Sequence, residues 1–240
     1  MKKIAWIVTK KEKVYDEIAV FSAMLKNQHN ITVELVSWLD DDDKNLDEFD
    51  LIIINGCDGY HQHFEKFTAW LTKQELLAKK IFNPLPAIRW NIEKTYLEEL
   101  DNAGFMIPET IWVKKKEEIP FEKLLRKDWQ KIIFKPTISA GSSNTFILTI
   151  DEVKKQKTDL AAKLKPVLKK SGLILQEFME KEIAEGEFSF LFFDKKFSHA
   201  VKKVPAKNDF RAGIRQGARV SSLKINSESA KKLLTSCLLI

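Results

Sequence analysis

The sequence predicts an α/β fold in its first part that changes to α+β in its second. Three observations carry that prediction. Continuous apolar runs at residues 4–8 and 51–54 are separated by segments of helical period, the pattern of a parallel sheet covered on both faces. A loop of small residues after Pro136 joins two apolar runs closely enough to make a hairpin and not a crossover. Beyond residue 172 several strand-like runs follow one another with short connections.

In order along the chain, residues 3–9 read as a buried strand. Residues 15–28 then show helical spacing through Ile18, Phe21, Met24 and Leu25. Residues 31–38 form a second, β-branched strand, and the run Asp40 to Asp43 that follows reads as a solvated loop. Residues 49–54 are a third strand closed by Asn55 and Gly56, which places residues 55–60 at the carboxyl edge of the sheet, where open α/β folds bind small ligands. A helix is predicted over residues 63–80. Pro84 and Pro86 break the chain, and a further helix is expected to start at Asn91 as its cap, with Glu93 in the first turn and Gly104 past its end. Residues 131–136 and 144–150 are the hairpin strands. A charged helical stretch over residues 151–172 is expected to be interrupted at Pro166. Strands follow over residues 173–179 and within 186–205, with a turn at Asp194, and the chain closes on a helix over residues 227–240.

Composition excludes several classes. A 44% hydrophobic and 31% charged chain of 240 residues is an ordinary globular protein. No run approaches the roughly 18 apolar residues of a membrane span, and the N-terminus lacks a secretory apolar core, so a cytoplasmic location is expected. The net charge of +6 is spread along the chain and matched by acids, which argues against a nucleic-acid partner. Cys57 and Cys237 stand far apart without metal-ligand spacing and read as reduced structural thiols.

The informative stretch is Ile132 to Leu148, where Lys135 sits inside an apolar run and is followed by Thr137, Ser139, Ala140, Gly141, Ser142 and Ser143. Small residues let a main chain approach an anion closely, so this loop reads either as a plain hairpin turn or as a phosphate flap with an ammonium at its base. The order of lysine and glycine excludes a P-loop, whose lysine follows its glycines. Downstream, Gln176 and Glu177 end a strand at Phe178 and Met179, a pattern suited to the edge and faces of an adenine. Glu187 could accept from ribose hydroxyls. Lys203 and Arg211 flank a turn as a cationic pair suited to a transferring phosphoryl group.

That order, carried by "NIEKTYLEELDNAGFMIPET", "IIFKPTISAGSS", "LILQEFM", "GEFSFLFFD" and "FSHAVKKVPAKNDFR", resembles the ATP-grasp superfamily of carboxylate–amine ligases. Within it the chain is most similar to the prokaryotic glutathione-synthetase-like, cycloserine-biosynthesis-ligase-like subgroup. Asn208 stands where that subgroup carries a glycine, and "RQGAR" stands for its Gly-Gly-Arg. The resemblance implies a Rossmann-like pre-ATP-grasp domain over residues 1–88, an ATP-grasp subdomain with the flap over 89–172, and a second subdomain over 173–240. It implies that Lys94 and Lys135 contact nucleotide phosphates under the flap Ser139, Ala140, Gly141, Ser142 and Ser143. Gln176, Glu177, Phe178 and Met179 would then frame adenine, Glu187 ribose, and Lys203 and Arg211 the γ-phosphate and an acyl phosphate.

The implied reaction joins a small-molecule carboxylate to an amine with ATP, through an acyl phosphate that divides one hard condensation into two easier steps. Magnesium is expected for the family, but its ligands come from strands that follow the arginine segment, and no metal ligand is assigned in this chain. The chain is therefore expected to be C-terminally incomplete. The alternative is a non-catalytic or split nucleotide-binding protein without magnesium strands of its own. A homodimer or a complementing C-terminal fragment is the expected protein partner, with no membrane. The carboxylate donor is expected between residues 55–60 and the Asp209-Phe210-Arg211 segment, with His199 and Arg215 as further candidates.

Overall fold

The computed structural model describes residues 2–10, 16–40, 45–193 and 196–225. They fall into two compact units, Met1–Tyr96 with Ile138–Ala140, and Leu97–Thr137 with Gly141–Ile240. The α/β expectation holds for the first and α+β for the second.

In the first unit β1 (Lys3–Val8), β2 (Thr32–Ser37), β3 (Leu51–Ile54) and β4 (Ile81–Phe82) form a parallel sheet in the order β2-β1-β3-β4. Both faces of its centre are apolar because both are covered. Ala5, Ile7, Val36, Ile52 and Ile54 join Phe67 and Leu71 of α2 (Phe64–Lys73) in one core. Trp6 and Val8 meet Ile18 and Phe21 of α1 (Asp16–His29) on the other side. Trp38 and Phe67 lie edge to face at 4.7 Å, a geometry that aligns ring edge with ring face.

Three local expectations need correction in this region. The helix over residues 63–80 ends at Lys73 and continues from Glu75 to Lys80 as a 3₁₀ turn. The prolines do not break the chain. They open α3 (Leu85–Asn91), with Pro84 as its cap and Pro86 in the first turn, where a missing N–H costs nothing. Asn91 therefore ends one helix and does not cap the next, which is α4 (Tyr96–Asn102). Gly104, at φ +87°, does stand past the end of α4, where Phe105 N–H donates to the Leu100 carbonyl at 3.0 Å.

In the second unit β5 (Thr110–Val113), β6 (Lys131–Pro136), β7 (Phe146–Thr149) and β8 (Leu173–Glu177) form an antiparallel sheet in the order β5-β8-β6-β7. The hairpin expectation holds, with Lys131 opposite Thr149 and Phe134 opposite Phe146. Alternation places Ile111, Leu175, Phe134 and Leu148 on one face. That face packs on α5 (Phe121–Leu125), α6 (Ile150–Lys155) and α7 (Lys157–Leu168) through Leu124, Val153, Leu160 and Leu164. The opposite face carries Thr110, Gln176, Ile133, Lys135 and Ile147.

Pro166 lies inside α7 and does not interrupt it, because it stands in the last turn, where it frees a single carbonyl; the break falls at Gln156. After α8 (Glu180–Glu185), β9 (Glu187–Phe193), β10 (Lys196–Val204) and β11 (Arg219–Leu223) make a second antiparallel sheet, order β11-β10-β9. Strands β4, β5 and β11 and helices α5 and α8 were not anticipated. Each is short or largely polar, so its apolar period is weak. The acidic stretch from residue 41, the Asp194 turn, and the closing helix with Cys237 lie outside the described residues. No helix among the described residues is long and apolar enough to cross a membrane.

Candidate functional site

In the first unit the carboxyl edge of the sheet is held by side chains bonded to main chain. Trp6 Nε1 donates to the Asn55 carbonyl at 3.0 Å, and Thr9 Oγ1 donates to the Asp58 carbonyl while accepting Trp38 Nε1 at 3.1 Å. Gly56 and Gly59, both at φ +83°, let the chain turn back over this edge. Tyr60 Oη donates to the Ile92 carbonyl at 3.1 Å, tying the edge to the turn that carries Lys94. Lys94 Nζ donates to the Ser139 carbonyl at 2.5 Å and to its hydroxyl at 2.9 Å. Ser139 is buried, as is Thr137 two residues earlier. The structure thus brings together two residues of the series 45 positions apart, its first lysine and a residue of the small-residue loop.

His61 lies close by with its Nδ1 buried and without a hydrogen-bond partner. Burial first, then the Lys94 ammonium, pushes this imidazole down, while Asp58 pulls it up. Burial pushes the Cys57 thiol up to about 12, with Asp58 adding to the effect. It is an inert, packed thiol, as expected for a structural cysteine.

In the second unit Lys135 sits near the end of β6, opposite Ile174 of β8 and on the sheet face away from the helices. Burial lowers its pKa, because a desolvated ammonium is disfavoured. The loop that follows turns through three left-handed residues, Gly141 at φ +59°, Ser142 at +60° and Asn144 at +53°. Thr145 N–H donates to the Ser142 carbonyl at 3.1 Å. Thr137 N–H donates to the Gly172 carbonyl at 3.0 Å, anchoring the loop's first residue. Ala140 is partly buried and Ser143 likewise, so neither is splayed into solvent.

The four residues expected at an adenine are placed differently from one another. Gln176 is buried, its amide donating to Thr110 Oγ1 at 2.7 Å and to the Pro108 carbonyl at 3.5 Å. Glu177 is exposed at the strand end. Phe178 N–H is taken by the Lys131 carbonyl at 3.0 Å, and its ring meets Phe210 edge to face at 6.1 Å. The Met179 carbonyl accepts Ile183 N–H at 3.1 Å, while its side chain is 36% exposed.

A cleft of about 410 Å³ lies among these parts, lined by Ile147, Phe178, Ile183, Val204, Asp209 and Phe210 with their neighbours. Its volume and apolar walls suit a planar ring system with a few polar contacts. Glu187 and Lys203 face each other across β9 and β10 and form an ion pair at 2.9 Å, with Ser189 Oγ donating to the same carboxylate oxygen at 3.2 Å. His199 is exposed on β10 beside a bulge and is not packed in the strand.

Arg211 is bound to a residue that the sequence reading did not single out. Asp209 accepts its Nε at 3.0 and 3.2 Å, its Nη2 at 2.7 Å and its backbone N–H at 2.9 Å. These bonds hold the Asp209 carboxyl at about 2, well below the usual range. The signal was present as an acid two residues before an arginine in a polar turn, the spacing of a side-chain bond to the N–H two residues on. Asn208 supplies the turn at φ +66°. Glycine reaches this conformation freely and asparagine tolerates it, which accounts for asparagine in place of the subgroup's glycine. Gly217 keeps a left-handed turn within "RQGAR". Among the described residues no three His, Cys, Asp or Glu side chains come together as a metal site.

Comparison with known proteins bears on the family and the fold. Residues 4–83 match the family described as D-cycloserine synthetase DcsG, N-terminal domain. Residues 93–236 match the prokaryotic glutathione synthetase, ATP-grasp domain. A curated relative, the cycloserine biosynthesis protein DcsG of Streptomyces lavendulae, is 24% identical over 179 residues, 72% of this chain. The chain spans 58% of that relative's length. The crystal structure of D-cycloserine synthetase DcsG superposes with a TM-score of 0.77 at 18% identity, covering 97% of this chain and 79% of that one. D-alanine–D-alanine ligase from Bacillus anthracis, complexed with ATP, gives 0.65 at 15% identity, covering 100% and 76%.

Proposed function

The chain belongs to the prokaryotic glutathione-synthetase ATP-grasp family, and on that premise we propose that it is an ATP-dependent ligase. It would join a small-molecule carboxylate to an amine or similar nucleophile through an acyl phosphate, releasing ADP and phosphate. The three-part division at residues 88 and 172 is proposed with it, as is a cytoplasmic setting.

The observation that carries the reading is Lys135. A partly desolvated ammonium stands on the face of the β6 sheet away from the helices, and the left-handed Gly141–Ser142 turn follows in the same hairpin. Such an ammonium gains more from an anion than an exposed one does, because its own hydration is already reduced. Phosphates would be held by Lys135 and Lys94 with the loop Ser139 to Ser143. Phe178 and Phe210 would wall the base, with Gln176 holding the strand end in register, while Glu177 and Met179 border it and Glu187 takes the ribose. The nucleotide, when bound, supplies the phosphoryl group that activates the carboxylate. Lys203 and Arg211 would offset the charge that develops on the transferring group. Magnesium, implied by the family, has no donor cluster among the described residues and no residue is assigned to it.

The test is calorimetric titration with ATP in magnesium buffer, using wild type and Lys135→Met. Losing a charge-assisted contact should weaken ATP roughly 10- to 100-fold, while the melting temperature holds or rises because a desolvated ammonium has been removed. No ATP-dependent heat in wild type, or equal affinity in the variant, would sink the reading. ADP formation with candidate carboxylates then separates a ligase from a nucleotide binder.

A further inference from the structure

The guanidinium of Arg211 has five N–H donors in one plane, arranged as a side edge (Nε and Nη2) and an end edge (Nη1 and Nη2). Asp209 occupies the side edge completely, with both carboxylate oxygens within 3.2 Å of Nε and one at 2.7 Å from Nη2. The carboxylate is the inner partner, 19% exposed against 41% for the arginine side chain. It is itself fixed, since its Oδ1 also accepts the Arg211 backbone N–H and the Asp209 N–H donates to the Ala206 carbonyl at 3.0 Å. The left-handed Asn208 holds the chain in this turn.

The geometry points to Asp209 as the positioning residue of Arg211, setting the guanidinium so that only its end edge is left for an oxyanion. This rests on the proposed function for the identity of that oxyanion as a terminal phosphate. The consequence is specific. A long cation that would otherwise sample many rotamers is held in one, so the ordering cost falls before the ligand arrives. Lysine cannot replace this arginine, because a single ammonium engaged by Asp209 has no second edge to present. A group that carries the terminal phosphate gains from the pre-set edge, and one that lacks it does not.

Two measurements on the full chain test this. In nucleotide-free protein, ¹⁵N spectra of arginine side chains, assigned with Arg211→Lys, should show the Arg211 Nε–H slow to exchange with solvent, and Asp209→Ala should abolish that protection. Titrations with ATP and with ADP should show Asp209→Ala weakening ATP roughly tenfold with ADP within about twofold. The double variant Asp209→Ala/Arg211→Ala should be no weaker than Arg211→Ala alone, since the two act as one unit. Asp209→Asn, with one acceptor oxygen left, should fall between and serves if the alanine variant melts early. An unprotected Nε–H in wild type overturns the assignment. So do additive losses in the double variant, or equal losses of ATP and ADP, which would mark a structural role only. Protection in wild type without any nucleotide binding overturns instead the proposed function, and with it the phosphate role of the end edge.

Discussion

Gly141 and Gly172 show how two glycines are required for different reasons. At Gly141 a Cβ would meet nothing within 4 Å, so Gly141→Ala costs only the left-handed backbone at φ +59°, about 1–2 kcal/mol. At Gly172 a Cβ would stand 2.8 Å from the Val113 carbonyl and 3.0 Å from Thr137 Cγ2, so main chain must move. Gly172→Ala should therefore cost more, up to about 3 kcal/mol, and should disturb the anchored start of the loop. Urea unfolding of the two variants checks the order, and equal losses would contradict it. Asp209 has a pH signature of its own. Its folded pKa is depressed to about 2, so its contribution is complete above the ordinary carboxylate pKa of about 3.9. It is lost as pH falls from there through about 2. The residue types at these positions were legible in the sequence, but the partner of Arg211 was not, since a hydrogen bond depends on the rotamer and the turn, not on the spacing alone.

At the scale of elements, the junction of β7 and α6 is instructive. The strand expected to run through residue 150 ends at Thr149, which caps α6 reciprocally with Glu152. Glu152 N–H donates to Thr149 Oγ1 at 3.2 Å and Thr149 N–H to Glu152 Oε2 at 2.7 Å. Thr149→Ala should destabilise the protein by about 1 kcal/mol in chemical denaturation, and a loss under a few tenths would show that packing alone holds the junction. The Thr-x-x-Glu pattern was present in the sequence, yet Ile147 to Ile150 is β-branched and apolar enough to read as one strand. Pro84, Pro86 and Pro166 teach the same point. A proline is a breaker only where an N–H or a preceding carbonyl was needed, and position relative to the helix end decides that.

For the whole molecule, the described residues carry apolar clusters on both faces of the parallel sheet and a further one on the helix-covered face of the β5-β8-β6-β7 sheet. Phe67→Ala and Phe134→Ala, fully buried in different cores, should each cost about 3–5 kcal/mol. With no shared partners their effects should add within about 0.5 kcal/mol in the double variant. Strong non-additivity in denaturant titrations would instead mean that the cores are coupled. The sequence by itself determined the class of the fold, the hairpin that carries Lys135 and the ordered series from Lys94 to Arg211, because apolar period and the chemistry of single residues are local properties. Only the tertiary structure decided that Lys94 holds Ser139, that Glu187 pairs with Lys203 and that Asp209 holds Arg211. Each of those depends on strand register, backbone handedness and burial, which arise when distant segments pack and desolvate one another.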